Sequence, residues 1–172
     1  MEQTTPPPEV AFATDRLTVA PLVRTGDRIA ATARIVTRAV TEHLPPRLHV
    51  DGAVDAGAWL DLLCEGGAVC SVEQGSDMVG FLTLHWEGPR HLMIGYLLGE
   101  TVWGRGLASE LVCGLVRHLD DIGWHGRVTG GVDIDNPASA AVLRKAGFAP
   151  DAGGPEGTAF YSLVIAPPRA SL

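Results

Sequence analysis

A chain of 172 residues, 46% hydrophobic and 19% charged, has the composition of one globular domain with a substantial core. Its formal net charge of −7 argues against a general nucleic-acid binder, which needs a basic face, and no apolar run approaches the roughly 20 residues that span a bilayer. Cys64, Cys70 and Cys113, odd in number and without CxxC or Cys/His spacing, fit reduced thiols in a cytoplasmic protein; with six scattered histidines they offer no metal site.

The start of the chain, with Pro6-Pro7-Pro8 and no basic or apolar leader, reads as a flexible tail over residues 1–14. Arg16 to Ala20 alternates up to Pro21 and predicts a first strand. Thr25 or Asp27 can cap a helix that the spacing of Ile29, Ala33, Val36 and Val40 carries to about Val40. Beyond the break at Pro45-Pro46, a second helix from about Asp55 to Glu65 stops at Gly66-Gly67. Ala68 to Glu73 and Met78 to His85 flank the hairpin turn Gln74-Gly75-Ser76-Asp77, and Glu87-Gly88-Pro89-Arg90 turns into a strand from His91 to Leu98. A long helix follows from about Gly104 to Ile122, its apolar stripe formed by Leu107, Leu111, Leu115, Leu119 and Ile122. Arg127 to Asp133 is a further strand. Asn136 caps a helix with Pro137 at its first position and Gly147 at its end, and Thr158 to Ile165 is the last strand before a tail over residues 167–172. The order is mixed α/β in one domain over residues 15–166, an antiparallel meander feeding a strand–helix–strand unit.

Two patches carry chemistry. Trp103-Gly104-Arg105-Gly106-Leu107-Ala108-Ser109 is a glycine-rich turn that opens a helix. Such a turn points unpaired amides and the positive end of a helix dipole at one spot, a seat for phosphate, with Arg105 placed to add charge. Taken alone, it is equally a tight turn with glycines for backbone reasons. The second patch is Asp135-Asn136-Pro137-Ala138-Ser139, followed by Val142-Leu143-Arg144-Lys145-Ala146-Gly147-Phe148. Capping explains Asn136 and Gly147 without any ligand, but not their pairing with a phosphate-type turn one strand earlier.

Together the patches resemble the GNAT superfamily of N-acetyltransferases. The family's Gln/Arg-x-x-Gly-x-Gly/Ala signature falls on Trp103 to Ala108, and its Asn-x-x-Ser…Lys-x-Gly-Phe segment on Asn136, Ser139, Lys145, Gly147 and Phe148. Arg16-Leu17, Gly80-Phe81 and Ile94-Gly95-Tyr96 look like the branch that acetylates ribosomal-protein N-termini. The resemblance implies a mixed sheet of six to seven strands flanked by about four helices. The family's fourth and fifth strands, here His91–Leu98 and Arg127–Asp133, would splay to form a cleft. Acetyl-CoA, as co-substrate, would set its pyrophosphate on Gly104, Arg105, Gly106, Leu107, Ala108 and Ser109. Its pantetheine would lie along the backbone of Leu97 and Leu98, with Asn136 reaching the pantetheine amide. The acceptor would be a primary amine, on a peptide N-terminus or a small molecule, and no metal, membrane or nucleic acid enters. Homodimers are common among resembling proteins, although no stripe here declares an interface.

Many relatives use a tyrosine seven residues after the asparagine as acid; here that position is Leu143, and the resemblance implies Ser139 instead. The glutamate that some relatives carry five residues before the asparagine is Gly131. Candidate bases are therefore Glu87 and His85 at a strand end, Asp133 on the face of Gly131, or a water relay with no dedicated base. A dinucleotide-binding oxidoreductase is disfavoured, because Ser109 replaces the third glycine of GxGxxG and about a hundred residues precede the turn. A non-catalytic acyl-CoA-binding module of the same fold stays open because the base position is empty. No motif marks the acceptor, which the segment Leu44 to Ala58 and the loop Trp86 to His91 would shape.

Overall fold

The computed structural model describes residues 7–167. Helices begin where the chain supplies an oxygen for their first unpaired amides. Thr25 accepts from Arg28 N–H and opens α1 (Gly26–Ile35), and Thr37 accepts from Val40 N–H and opens the short α2 (Arg38–Thr41). Asp55 accepts from Ala58 N–H at the start of α3 (Ala56–Cys64). α4 (Leu107–Asp121) has no such oxygen; the residue before it is Gly106, left-handed at φ +75°. α5 (Pro137–Lys145) returns to the rule, with Asn136 accepting from Ser139 N–H. The single helix expected to reach Val40 is thus two helices. Thr37 can satisfy an amide with its own hydroxyl, and that local bond competes with helix continuation.

Among the described residues, eight strands form one sheet: β1 (Phe12–Ala13), β2 (Thr18–Pro21), β3 (Ala68–Gln74), β4 (Asp77–Trp86), β5 (His91–Leu98), β6 (Gly126–Asp133), β7 (Ala149–Asp151) and β8 (Thr158–Ile165). Their order is β1-β2-β3-β4-β5-β6-β8-β7, antiparallel throughout except for β5 against β6. The expectation of six to seven strands and about four helices falls short by β1, β7 and the split helix. Strands of two and three residues leave no periodicity to read. β1 also corrects the boundary of the N-terminal tail: Val10 is buried, and Phe12 and Ala13 pair with Val19 and Thr18. Residues 1–6 of that tail, and 168–172 of the C-terminal one, lie outside the described residues.

The sheet is covered on both sides. Leu107, Leu111, Leu115 and Leu119 of α4 and Leu143 of α5 are buried with Leu82, Leu92, Ile94 and Leu98. Phe81 and Leu97 belong to a second core with Ile35, Trp59, Leu60 and Leu63 from α1 and α3. Ile122, expected to extend the α4 stripe, falls past the helix end and is 46% exposed.

Candidate active site

The parallel ladder between β5 and β6 runs from His91↔Arg127 to Ile94↔Gly130 and ends there, although β5 continues to Leu98 and β6 to Asp133. Which backbone groups this strands follows from the neighbouring antiparallel ladder. Glu87 N–H donates to His91 C=O and Gly99 N–H to Val79 C=O, which sets the phase of the β4–β5 hydrogen bonds at both ends. By alternation, odd-numbered residues of β5 direct their backbone to β4 and even-numbered ones to β6. Past Ile94, the backbone groups of Tyr96 and Leu98 therefore turn into the gap. A cleft of about 900 Å³ opens here, lined by β5, β6, the mouth of α4, the start of α5 and the segment from Ala39 to Leu48. Gly80 lets β5 approach β4 closely, away from β6: a Cβ there would stand 2.2 Å from Leu97 O.

At one wall of the cleft lies the uncapped mouth of α4. Gly104 and Gly106 have φ of +71° and +75°, conformations that side chains resist. The first amide to close a helical turn is Glu110 N–H, on Gly106 C=O. Among the described residues, those of Leu107, Ala108 and Ser109 find no acceptor. Unpaired amides beside two turns without side chains fit a phosphate. The turn is braced from behind. Glu110 accepts from Thr14 Oγ1 at 2.6 Å, Arg16 N–H at 2.8 Å and Arg16 Nε at 2.6 Å, while Arg16 Nη1 donates to Arg105 C=O at 2.9 Å. Desolvation works to raise the Glu110 pKa, but the bonds from Thr14 and Arg16 together outweigh it and hold the carboxyl below its ordinary value.

A family model for the GNAT acetyltransferase domain matches residues 16–149. The chain belongs to the GNAT acetyltransferase family. It is accordingly an N-acetyltransferase with acetyl-CoA as co-substrate. Similar solved structures include a GNAT-family acetyltransferase from Bacillus anthracis, at TM-score 0.74 and 16% identity over 90% of this chain and 98% of that one. Another is the ribosomal L7/L12 α-N-protein acetyltransferase RimL in complex with coenzyme A, at TM-score 0.70 and 20% identity, covering 91% and 98% of the two chains. A third, from Salmonella typhimurium, modifies the N-terminal serine of ribosomal protein L7/L12, with TM-score 0.68, 20% identity and coverage of 89% and 97%. No curated protein matches the sequence.

Leu98, Gly104, Gly106, Leu107, Ala108, Ser109 and Asn136 all line the cleft. Arg105 is exposed and absent from the lining; only its carbonyl takes part in the brace. Leu97 lines the cleft with its side chain, but alternation commits its backbone to β4, so Tyr96 and Leu98 replace it as the strand's open edge. Trp103 stands in the signature's first position and donates from Nε1 to Leu98 C=O at 2.7 Å, leaving Leu98 N–H for a ligand. Asn136 Oδ1 is occupied by Ser139 N–H at 3.2 Å, so its Nδ2 is the free end.

Of the candidate catalytic residues, Ser139 and His85 line the cleft and Glu87 does not. Glu87 sits at the opposite end of β5, where the ladder is closed, with His91 Nδ1 2.9 Å from its carboxylate. A side chain at Gly131 would crowd Phe160, since a Cβ there would lie 3.0 Å from Phe160 Cε1. Two further groups reach the cleft. Tyr96 donates from its hydroxyl to Ser139 C=O at 3.2 Å, bridging β5 and α5, and burial pushes its phenol above the ordinary value against the smaller effect of that bond. His43, just past α2, places Nδ1 3.3 Å from Asp133 Oδ2. Asp135 N–H donates to Asp133 Oδ1 at 2.9 Å; that bond first, and His43 second, hold the Asp133 carboxyl below its ordinary range. Tyr96 was visible in Ile94-Gly95-Tyr96, but His43 lies in a segment without a motif, 90 residues from its partner.

Proposed function

We propose that the protein transfers the acetyl group of acetyl-CoA to a primary amine, on a protein N-terminus or a small molecule, by direct attack of the neutral amine. The observation that carries the proposal is the placement of the one uncapped helix mouth, among the described α-helices, at the edge of the gap where β5 and β6 lose their ladder. When bound, acetyl-CoA supplies a thioester, an acyl group activated toward amines. Gly104 to Ser109 would hold its pyrophosphate. The groups of Tyr96 freed by the parting strands would pair with the extended pantetheine as a further strand would. Leu98 N–H, whose neighbouring carbonyl is already taken by Trp103, is the donor to place against the acyl oxygen as charge develops there. Ser139 Oγ makes no hydrogen bond among the described residues and is available to donate to the departing sulfur. A thiol of pKa about 8.5 needs little help to leave.

The acceptor enters from the other face of the sheet, between the segment Ala39 to Leu48 and the strands. A protein N-terminus suits the ribosomal-branch likeness. Thiol release tests the reading: the protein is incubated with acetyl-CoA and a peptide bearing a free N-terminal serine or alanine, a free amino acid, a polyamine or an aminoglycoside. Thiol release above the amine-free rate supports transfer to that class of amine. Coenzyme A binding with no release on any of them overturns the reading.

A further inference from the structure

We infer that His43, oriented by Asp133, takes the proton from the incoming ammonium; the assignment rests on the acetyl-transfer reading above. A primary ammonium cannot attack a thioester until it loses a proton, so the acceptor side needs a base. The ionisable groups lining the cleft on that side are Glu42, His43, Arg47, His85, Asp133 and Asp135. Carboxylates are weak bases, and Asp133 is made weaker by the bonds it accepts. Arg47 is a permanent cation, paired with Glu65 at 2.9 Å. His85 pairs with Met93 beside the closed part of the ladder and has no carboxylate partner among the described residues.

His43 differs from His85 in having an orienting partner and a fixed platform. Nδ1–H donates to Asp133 Oδ2 at 3.3 Å, which leaves the lone pair on Nε2. Glu42 Oε1 is 3.6 Å from Nε2, beyond hydrogen-bond reach. The short helix α2 that leads into His43 is pinned at both ends. Thr37 Oγ1 donates to Glu100 at 2.5 Å, and the buried Thr41 Oγ1 accepts from Val50 N–H at 3.1 Å. Asp133 shares its sheet face with Gly131, whereas Gly130 packs against Leu143 of α5 on the other. The pair therefore stands across the sheet from α5, on the side the acceptor uses.

In the step assigned, R–NH₃⁺ gives one proton to Nε2. The freed lone pair forms the C–N bond to the acetyl carbon as the C–S bond breaks, its electron pair leaving on sulfur. The nitrogen sheds a second proton and the thiolate gains one, so R–NH₃⁺ and acetyl-CoA become the acetamide, the coenzyme A thiol and one released proton.

Two measurements on the full chain test this. With a peptide bearing a free N-terminal serine, and with spermidine as a small amine, His43→Ala should lose about 100-fold or more in kcat/KM. Its acetyl-CoA affinity should be unchanged, and added imidazole should restore part of the rate. Asp133→Asn should lower kcat with KM unchanged, and Asp133→Glu should recover part of it, as expected of a positioning residue. A His43→Ala variant that turns over like wild type, or that imidazole does not rescue, overturns the assignment. The second measurement needs no acceptor. Nitrogen-detected NMR of the neutral imidazole should find His43 as the Nδ1–H tautomer; the Nε2–H tautomer overturns the assignment whatever the turnover. Wild type that binds acetyl-CoA yet acetylates neither amine nor any other in the panel would instead sink the transfer reading, and the tautomer would still decide His43.

Discussion

Gly80→Ala should damage the cleft without touching any ligand. The methyl carbon would lie 2.2 Å from Leu97 O and 2.6 Å from Leu98 Cδ2, whereas ordinary contact begins at 3.4 Å. The nearest of these atoms is backbone, so no side-chain rotation relieves it, and β5 must move away from β4 by about 1 Å. Overpacking of this kind costs about 1–3 kcal/mol. At roughly 2–4 °C per kcal/mol for a chain of this size, Tm should fall by about 2–12 °C. The larger effect is on function, because the displaced residues carry the strand's open edge; a shift of about 1 Å at a reacting site can cost about 100-fold in rate. Gly26→Ala is the control, since nothing lies within 4 Å of its added carbon. Thermal melts and calorimetric titration with acetyl-CoA read both effects. A Gly80→Ala protein with the Tm and acetyl-CoA Kd of wild type would show that β5 does not depend on that close approach.

Gly106→Glu should largely abolish acetyl-CoA binding by calorimetry: a carboxylate within about 4 Å of a phosphate charge costs about 1–4 kcal/mol per charge, and the left-handed position adds about 1–3 kcal/mol of strain. Ser139→Ala should lower kcat about tenfold with little change in acetyl-CoA affinity, while Glu87→Gln, outside the cleft, should leave steady-state turnover unaltered. Glu110→Gln should destabilise the chain by about 1–3 kcal/mol at neutral pH through weakened bonds to Thr14 and Arg16. Because the folded-state pKa of Glu110 is lowered, its contribution is present above the unfolded-state value and lost as pH falls through the depressed one. Chemical denaturation of wild type and variant should therefore converge in acid, and a constant difference across that range would contradict the brace.

What could be read in the chain was local. A leucine every fourth residue from Leu107, an asparagine followed by proline, and glycines at 104 and 106 each announce their backbone through chemistry within one or two turns. The same locality hid the rest. Thr37 interrupts an otherwise acceptable helix because its hydroxyl reaches Val40 N–H and Glu100 together, and the second partner lies 63 residues away. Alternation along β5 tells which side chains share a face, but whether Leu97 or Leu98 offers its backbone to a ligand depends on the register with β4. Glu87, plausible by its place at a strand end, is found outside the cleft lining only once β5 and β6 are seen to be closed at that end and parted at the other.

The proposed seat of acetyl-CoA is the row of free amides at the mouth of α4, beside the open edge of β5. Amide-resolved NMR of the full chain, titrated with acetyl-CoA, tests it most directly. Saturable shifts should concentrate on Gly104 to Ser109 and on Tyr96 and Leu98, with the amides that already have acceptors in β3 left in place. Binding that leaves the amides of Leu107, Ala108 and Ser109 unmoved would contradict it.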